Sequence, residues 1–184
     1  MPLPRVSVFI ATSLDGCIAR ADGSLDWLDC VKLDGEDYGY GEFMSTVDTL
    51  LLGRGTWDVA RTFDPWPYAG KRVVVLTHRP EQVRHGEELA AGNVAEVLEE
   101  LGASGSARVY VDGGAVIRQC LAAGMVDELI VSVVPVVLGE GIRLFGDELP
   151  ERTLRLVSSE SWASGLVQLR YTVGSSPFPR PGAA

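Results

Sequence analysis

Apolar and polar positions along this chain fall into short blocks. Arg5 to Thr12 (RVSVFIAT) is β-branched and apolar, as expected of a buried central strand. It runs into the turn Ser13-Leu14-Asp15-Gly16, and Cys17-Ile18-Ala19 continues as a short extended piece. Tyr40, Phe43, Met44 and Val47 recur at helical spacing within Asp37 to Val47, although Gly39 and Gly41 weaken that helix. Thr49 to Gly53 and Lys71 to Leu76 are short buried strands, and Trp57 to Arg61 between them forms one or two helical turns. Glu81 to Gly92 is polar and without a clear pattern. Asn93 then caps a helix over Val94 to Leu101, with Gly102 as its stop. Arg108 to Val111 is a strand that ends in Asp112-Gly113-Gly114, and a helix over Ala115 to Ala123 follows at once. Glu128 to Leu138 reads as a long strand, with Pro135 implying an edge position or a bulge. Thr153 to Ser161 and Leu166 to Val173 form a closing antiparallel pair.

Strands alternating with helices, then strands alone, predict an α/β domain with a mostly parallel central sheet, flanking helices and an antiparallel C-terminal strand pair. One domain over residues 1–174 is expected, followed by a disordered tail at 175–184 that holds three prolines within Ser175 to Ala184.

Charge narrows the partners. The 16 Lys+Arg stand against 25 Asp+Glu, a net charge of −9. That argues against a nucleic-acid or anionic-membrane surface, so an anionic ligand must be held by a few local arginines and backbone N–H groups. No apolar run is long enough to span a bilayer, and the N-terminus lacks a signal-peptide core. Cys17, Cys30 and Cys120 are odd in number and widely spaced, which suggests free thiols in a reducing cytoplasm and no zinc site.

Three buried strands end in turns suited to phosphate: Gly53-Arg54-Gly55-Thr56, Leu76-Thr77-His78-Arg79 and Asp112-Gly113-Gly114. Open α/β sheets bind ligands at such carboxyl ends. Arg54 and Arg79 supply forked cations, Thr56 and Thr77 hydroxyls, and the double glycine a close backbone approach. A helix opening straight after Gly114 would aim free N–H groups at the same place.

These turns also carry a resemblance. Ala11-Thr12-Ser13-Leu14-Asp15-Gly16 with Ile18-Ala19, Leu52-Gly53-Arg54-Gly55-Thr56-Trp57, Val75-Leu76-Thr77, Asp112-Gly113-Gly114, Gly124-Met125-Val126-Asp127-Glu128-Leu129 and Pro135 to Gly141 occur in the order seen in the dihydrofolate reductase-like fold. The set is most similar to bacterial reductases like the C-terminal domain of the riboflavin-biosynthesis deaminase-reductase, and it covers about residues 5 to 173. The resemblance implies an NADPH-dependent oxidoreductase acting on a small molecule. It places the cofactor pyrophosphate at Gly113, Gly114 and the N–H groups of Ala115, Val116 and Ile117, beside Arg54 and Thr56. It puts the 2′-phosphate at Thr77, His78 and Arg79, and the nicotinamide at Ala11, Thr12, Ile18 and Ala19. It further implies a cis peptide between Gly113 and Gly114.

Two carboxylates compete for the catalytic role. Asp37 stands at the expected helix start ahead of the Gly53 strand end, where dihydrofolate reductases carry their acid; it also suits plain helix capping. Asp15 lies in the Leu-Asp-Gly turn that borders the substrate in riboflavin-type reductases; it also suits plain turn chemistry. The best named activity is reduction of 5-amino-6-(5-phosphoribosylamino)uracil in riboflavin biosynthesis. The alternatives are a dihydrofolate- or pterin-type reductase, or a non-catalytic nucleotide-binding dimer. Cys17 stands where the riboflavin enzymes usually carry a lysine, which puts that phosphorylated substrate in question. A cytoplasmic homodimer is expected, with the apolar stretch from Leu129 to Leu138 as a possible interface.

Overall fold

In a computed structural model, residues 3–79, 81–146 and 149–174 are described. The expected tail at 175–184 lies outside them. The chain order is β1 (Arg5–Ser13), β2 (Cys17–Ala19), a 3-10 segment (Asp26–Val31), α1 (Tyr40–Ser45), β3 (Thr49–Gly53), α2 (Arg54–Ala60), β4 (Arg72–Leu76), β5 (Glu88–Ala90), α3 (Val94–Ala103), β6 (Arg108–Asp112), α4 (Gly114–Ala122), β7 (Glu128–Val134), β8 (Ile142–Arg143), β9 (Leu154–Ser161) and β10 (Val167–Val173).

Among the described residues one eight-stranded sheet runs β5-β4-β3-β6-β1-β7-β10-β9. The pairs from β5 to β7 are parallel, and β10 pairs antiparallel with both β7 and β9. Sequence order thus jumps at β3–β6 and again at β6–β1, so the β6 end lies between two strands from the first third of the chain.

The fully apolar strands have a simple cause. Leu51, Val74, Leu76, Val109 and Val111 point to one face, where α3 and α4 cover them. Leu50, Leu52, Val73, Val75 and Tyr110 point to the other, under α1 and α2. Period-two alternation therefore feeds two cores, and neither set of positions can be polar. Asn93 caps α3 as expected, its side chain accepting from Ala95 N.

Several elements depart from expectation. Helix α2 starts at Arg54, directly after the strand, and not at Trp57. The polar stretch after β4 contains the short strand β5, paired in parallel with β4. Strand β7 stops at Val134, so Pro135 ends it; the strand is internal, paired to β1 on one side and β10 on the other. Both edges of β7 are thus paired within the chain. The peptide between Gly113 and Gly114 is trans, the one cis bond among the described residues being Asp64–Pro65. Gly113 makes the sharp turn through its own φ of 108°, which only glycine adopts freely.

Glu128 sits at the amino-terminal end of β7, only 2% exposed, and collects Arg5, Arg108, Arg170 and the Ser7 hydroxyl. Burial pushes its pKa up, but the bonds from Arg170 and Ser7 and the charges of Arg170 and Arg108 outweigh that and hold it below the ordinary value. The cluster ties β1, β6, β7 and β10 together at the end of the sheet away from the turns. No helix among the described residues is long and apolar enough to cross a membrane, and the three cysteines are free, Cys17 and Cys120 buried and Cys30 exposed.

Candidate functional site

Parallel strands β1, β3, β4 and β6 all deliver their carboxyl ends to one edge, and there the chain leaves a crevice of about 780 Å³. Two turns meet back to back in its floor. A Cβ on Gly113 would lie 2.8 Å from Thr56 Oγ1 and 3.2 Å from Gly53 N, and one on Gly53 would lie 3.2 Å from Val116. A Cβ on Gly114 would lie 2.6 Å from Ile18 Cδ1. Glycine at these positions lets the β3–α2 turn, the β6–α4 turn and β2 close on one another. In α4 the amide of Ile117 already donates to Gly113 O. The N–H groups of Gly114, Ala115 and Val116 precede that bond and face the crevice with the positive end of the helix.

The cations at this wall are engaged. Arg54 bonds Asp58 and Glu81, each at 2.8 Å, and lies over the Trp57 ring. Arg118 donates to the carbonyl of Arg143 at 2.7 Å and lies against Gly114. The loop after β4 is pinned by Glu87, which accepts from Trp57 Nε1 and from the amides of Arg84 and His85.

Of the residues expected at the cofactor, Ala11, Ile18, Ala19, Gly53, Arg54, Thr56, Leu76, His78, Asp112, Gly113, Gly114, Ala115 and Val116 line the crevice. Thr12 is buried within β1, and the Ile117 side chain is fully buried with its amide in use. Thr77 turns its hydroxyl to the amide of Arg79, and the exposed Arg79 does not line the crevice.

Both carboxylates expected to be catalytic lie elsewhere. Asp37 is exposed, and its two oxygens accept from the amides of Gly39 and Gly41 at the start of α1. Asp15 accepts from Ser13 Oγ, Leu138 N and Gly139 N, pinning the loop after β7 to the turn after β1. Chiefly the Ser13 bond, then that of Leu138, lowers its pKa to about 2, which leaves no proton to give at neutral pH.

The carboxylate inside the crevice is Asp112. Burial raises its pKa from 3.8 to about 6, against the opposing bond from the amide of Gly113. Around it stand Tyr40, Tyr68 and Tyr110. Burial, with the Asp112 charge second, pushes Tyr40 up to about 12 and raises Tyr68 and Tyr110 as well. Tyr110 donates to Phe9 O. The hydroxyls of Tyr40 and Tyr68 bond no other described residue. Phe9 and Tyr40 stack edge to face at 5.5 Å. Beyond the helical spacing of Tyr40, this aromatic wall was not legible along the chain, because Tyr68 and Tyr110 come from a loop and a strand that meet only in the fold.

The chain resembles known proteins over nearly its whole length. A family profile described as the RibD C-terminal domain matches residues 4–168. The uncharacterized protein YwjB of Bacillus subtilis (strain 168) is 39% identical over 175 residues, covering 91% of this chain and 97% of that one. The crystal structure of a putative riboflavin biosynthesis protein from Shewanella sp. PV-4 is 36% identical, with a TM-score of 0.86 over 92% of this chain and 99% of that one. Dihydrofolate reductase from Enterococcus faecalis, complexed with NADP(H), shares the fold at 16% identity, with a TM-score of 0.64 over 92% and 96% of the two chains. A mostly parallel sheet with an antiparallel C-terminal pair, on which these turns converge, is the dihydrofolate reductase-like fold, and the chain belongs to the RibD C-terminal domain family.

Proposed function

We propose that this protein is an NADPH-dependent reductase of a small heterocyclic substrate. The observation that carries the reading is the pairing, within one crevice, of a phosphate-suited turn and a carboxylate kept partly protonated near neutral pH. The residues fit a dinucleotide: glycine backbone at Gly53 and Gly113–Gly114, three free amides at the start of α4, Arg54 and Arg118 beside them, and His78 beyond β4. A reduced nicotinamide, when bound, supplies a hydride.

This chain's own residues do the rest. Gly114, Ala115 and Val116 donate amides to phosphate oxygens, and Arg54 and Arg118 offset their charge. Ala11, Ile18 and Ala19 give an apolar wall that excludes water. Asp112 holds a proton on its carboxyl and passes it, directly or through one water, to the nitrogen of a substrate C=N bond. Asp112 takes this role in place of Asp37 and Asp15, whose oxygens are occupied by backbone amides. The protein acts in this reading as a cytoplasmic homodimer.

The test combines binding and turnover. NADPH should raise the melting temperature more than NADH, since a ligand at a hundredfold excess over its Kd stabilises by about 2.7 kcal/mol. Absorbance at 340 nm should then fall on adding a member of a panel that includes 5-amino-6-(5-phosphoribosylamino)uracil, dihydrofolate and simple imines. No stabilisation by either cofactor would sink the reading.

A further inference from the structure

The eight-stranded sheet ends in two edge strands, and the two are unlike. β5 is three residues long, and its Glu88 is held by Arg72 of the neighbouring strand. So short a strand offers little to another chain. β9 is eight residues long and exposed from Arg155 to Ser161. It holds neither lysine nor proline, two residues that commonly guard an edge. Leu156 and Val157 stand in its middle, 52% and 53% exposed, and pack against none of the three apolar clusters.

The charges of β9 are placed for one kind of partner. Antiparallel pairing with β10 sets Arg155 against Thr172 and Glu160 against Gln168. Thr172 and Gln168 lie four positions apart on β10 and so share a face. Arg155 and Glu160 lie five positions apart, and in an unbroken strand they would point to opposite faces. A bulge removes the conflict. Leu156 is opposite Tyr171 and Ser158 is opposite Arg170, so Val157 is the extra residue and the alternation shifts past it. A bulge can blunt an edge; this one brings Arg155 and Glu160 to the same face. Neither has an ion pair among the described residues. The Arg155 side chain makes one bond there, a 3.4 Å contact to Thr172 Oγ1.

Consider a second β9 laid antiparallel along this edge and related by a twofold axis normal to the sheet. Residues set opposite one another must then share a face. The register that sets Arg155 opposite the partner's Glu160 also sets Leu154 opposite the partner's Ser161 and Leu156 opposite the partner's Ser159. Leu154, Leu156, Ser159 and Ser161 pair with Val173, Tyr171, Leu169 and Val167 of β10, so all four lie on the other face. Every pair outside the bulge obeys the rule in this one register, and symmetry makes each pair twice. A strand of unrelated sequence has no reason to return these charges in reverse order, whereas a second copy does so by symmetry.

We infer that β9 is the contact edge of the homodimer, where two copies join their sheets antiparallel with Arg155 of each opposite the partner's Glu160. This rests on the homodimer named under the proposed function, to which it gives a surface.

Sedimentation equilibrium of the full chain tests it, with circular dichroism melts to show that each variant folds. The parent should be a reversible dimer. Arg155→Glu and Glu160→Arg should each weaken self-association by about tenfold or more, because each puts like charges opposite one another at two symmetric places. Mixed in equal amounts, the two variants should associate with each other as the parent does, since all facing charges are then opposite. The double variant carrying both exchanges in one chain should also regain the parent's dimer. A chain ending at Gly174 should dimerise like the full chain. A monomeric parent overturns the inference, as does a shortened chain that dimerises where the full chain does not, which would make the C-terminal segment the occupant of this edge. Folded single variants that dimerise like the parent, or that fail to associate when mixed, overturn it as well. The readings fail separately. A monomeric parent counts against the homodimer and this edge together, an undisturbed dimer in the variants counts against this edge alone, and neither touches the cofactor reading, which the NADPH melting shift decides.

Discussion

Asp112→Asn should stabilise the protein and disable it. A carboxyl whose pKa rises from 3.8 to about 6 on folding penalises the native state wherever it must be ionised. The sign follows from proton counts: between those values the folded chain binds more protons than the unfolded one, so stability falls as pH rises. The full linkage penalty is about 3 kcal/mol at pH 8 and shrinks to about 0.5 kcal/mol at pH 4. Asp112 is only half-buried at the crevice floor. Solvent screening reduces the expected gain to about 1–2 kcal/mol at pH 8, a rise in Tm of roughly 3–6 °C for a chain of this size. Asparagine keeps the acceptor for the amide of Gly113, so the turn survives the change. Thermal unfolding of both proteins at pH 8 and pH 4 reads the difference. The variant should be the more stable at pH 8 and nearly equal at pH 4. Its turnover should drop about 10²- to 10⁴-fold, the contribution of a positioned acid, and parent turnover should decline as pH rises past about 6. A variant less stable than the parent at pH 8, or a gap indifferent to pH, would refute the burial argument; unchanged turnover would refute the proton role.

Other residues give independent checks. Asp15→Asn should lower Tm at neutral pH. Because the folded pKa of Asp15 is depressed to about 2, the deficit should persist above about pH 4 and fade as pH falls through 2, read by circular dichroism melts. Gly113→Ala forces a Cβ to 2.8 Å from Thr56 Oγ1 at a φ of 108°. It should cost about 1–3 kcal/mol in urea unfolding and weaken NADPH binding by more than tenfold. Glu128→Ala strands Arg108, whose side chain is 15% exposed, and should cost about 3 kcal/mol with NADPH affinity unchanged.

Much of this architecture was legible in the chain. Short apolar runs such as Leu50 to Leu52 and Val73 to Val75 have no polar face, and that alone implied helices on both sides of a parallel sheet. The three strand-end turns were visible because glycine, arginine and threonine cluster there. What was not legible is who occupies a carboxylate. Asp15, Asp37 and Asp112 all sit at turns or helix starts in the sequence. Amides from Leu138 and Gly139, over a hundred residues away, decide that Asp15 is a fastener. Burial beside Tyr40, Tyr68 and Tyr110, from three distant segments, decides that Asp112 can hold a proton. Pro135 misled because a proline ends a central strand as readily as it marks an edge. Strand β5 was missed because three residues, exposed or half-buried, are too few to show a period.

The contacts of Arg54 carry a consequence for how the crevice fills. Its guanidinium already has two carboxylates, Asp58 on its own helix and Glu81 on the loop after β4. An anion arriving there enters by exchange, displacing one counter-charge for another. Dissolved salt weakens the incoming contact and the outgoing one together. Affinity at this position should therefore vary less steeply with ionic strength than for a guanidinium waiting bare in water. The released Glu81 also removes one tie between the loop and α2, leaving the bond from Trp57 to Glu87 as the remaining fastener, so occupancy of the crevice is coupled to the freedom of the Glu81 end of a segment outside it.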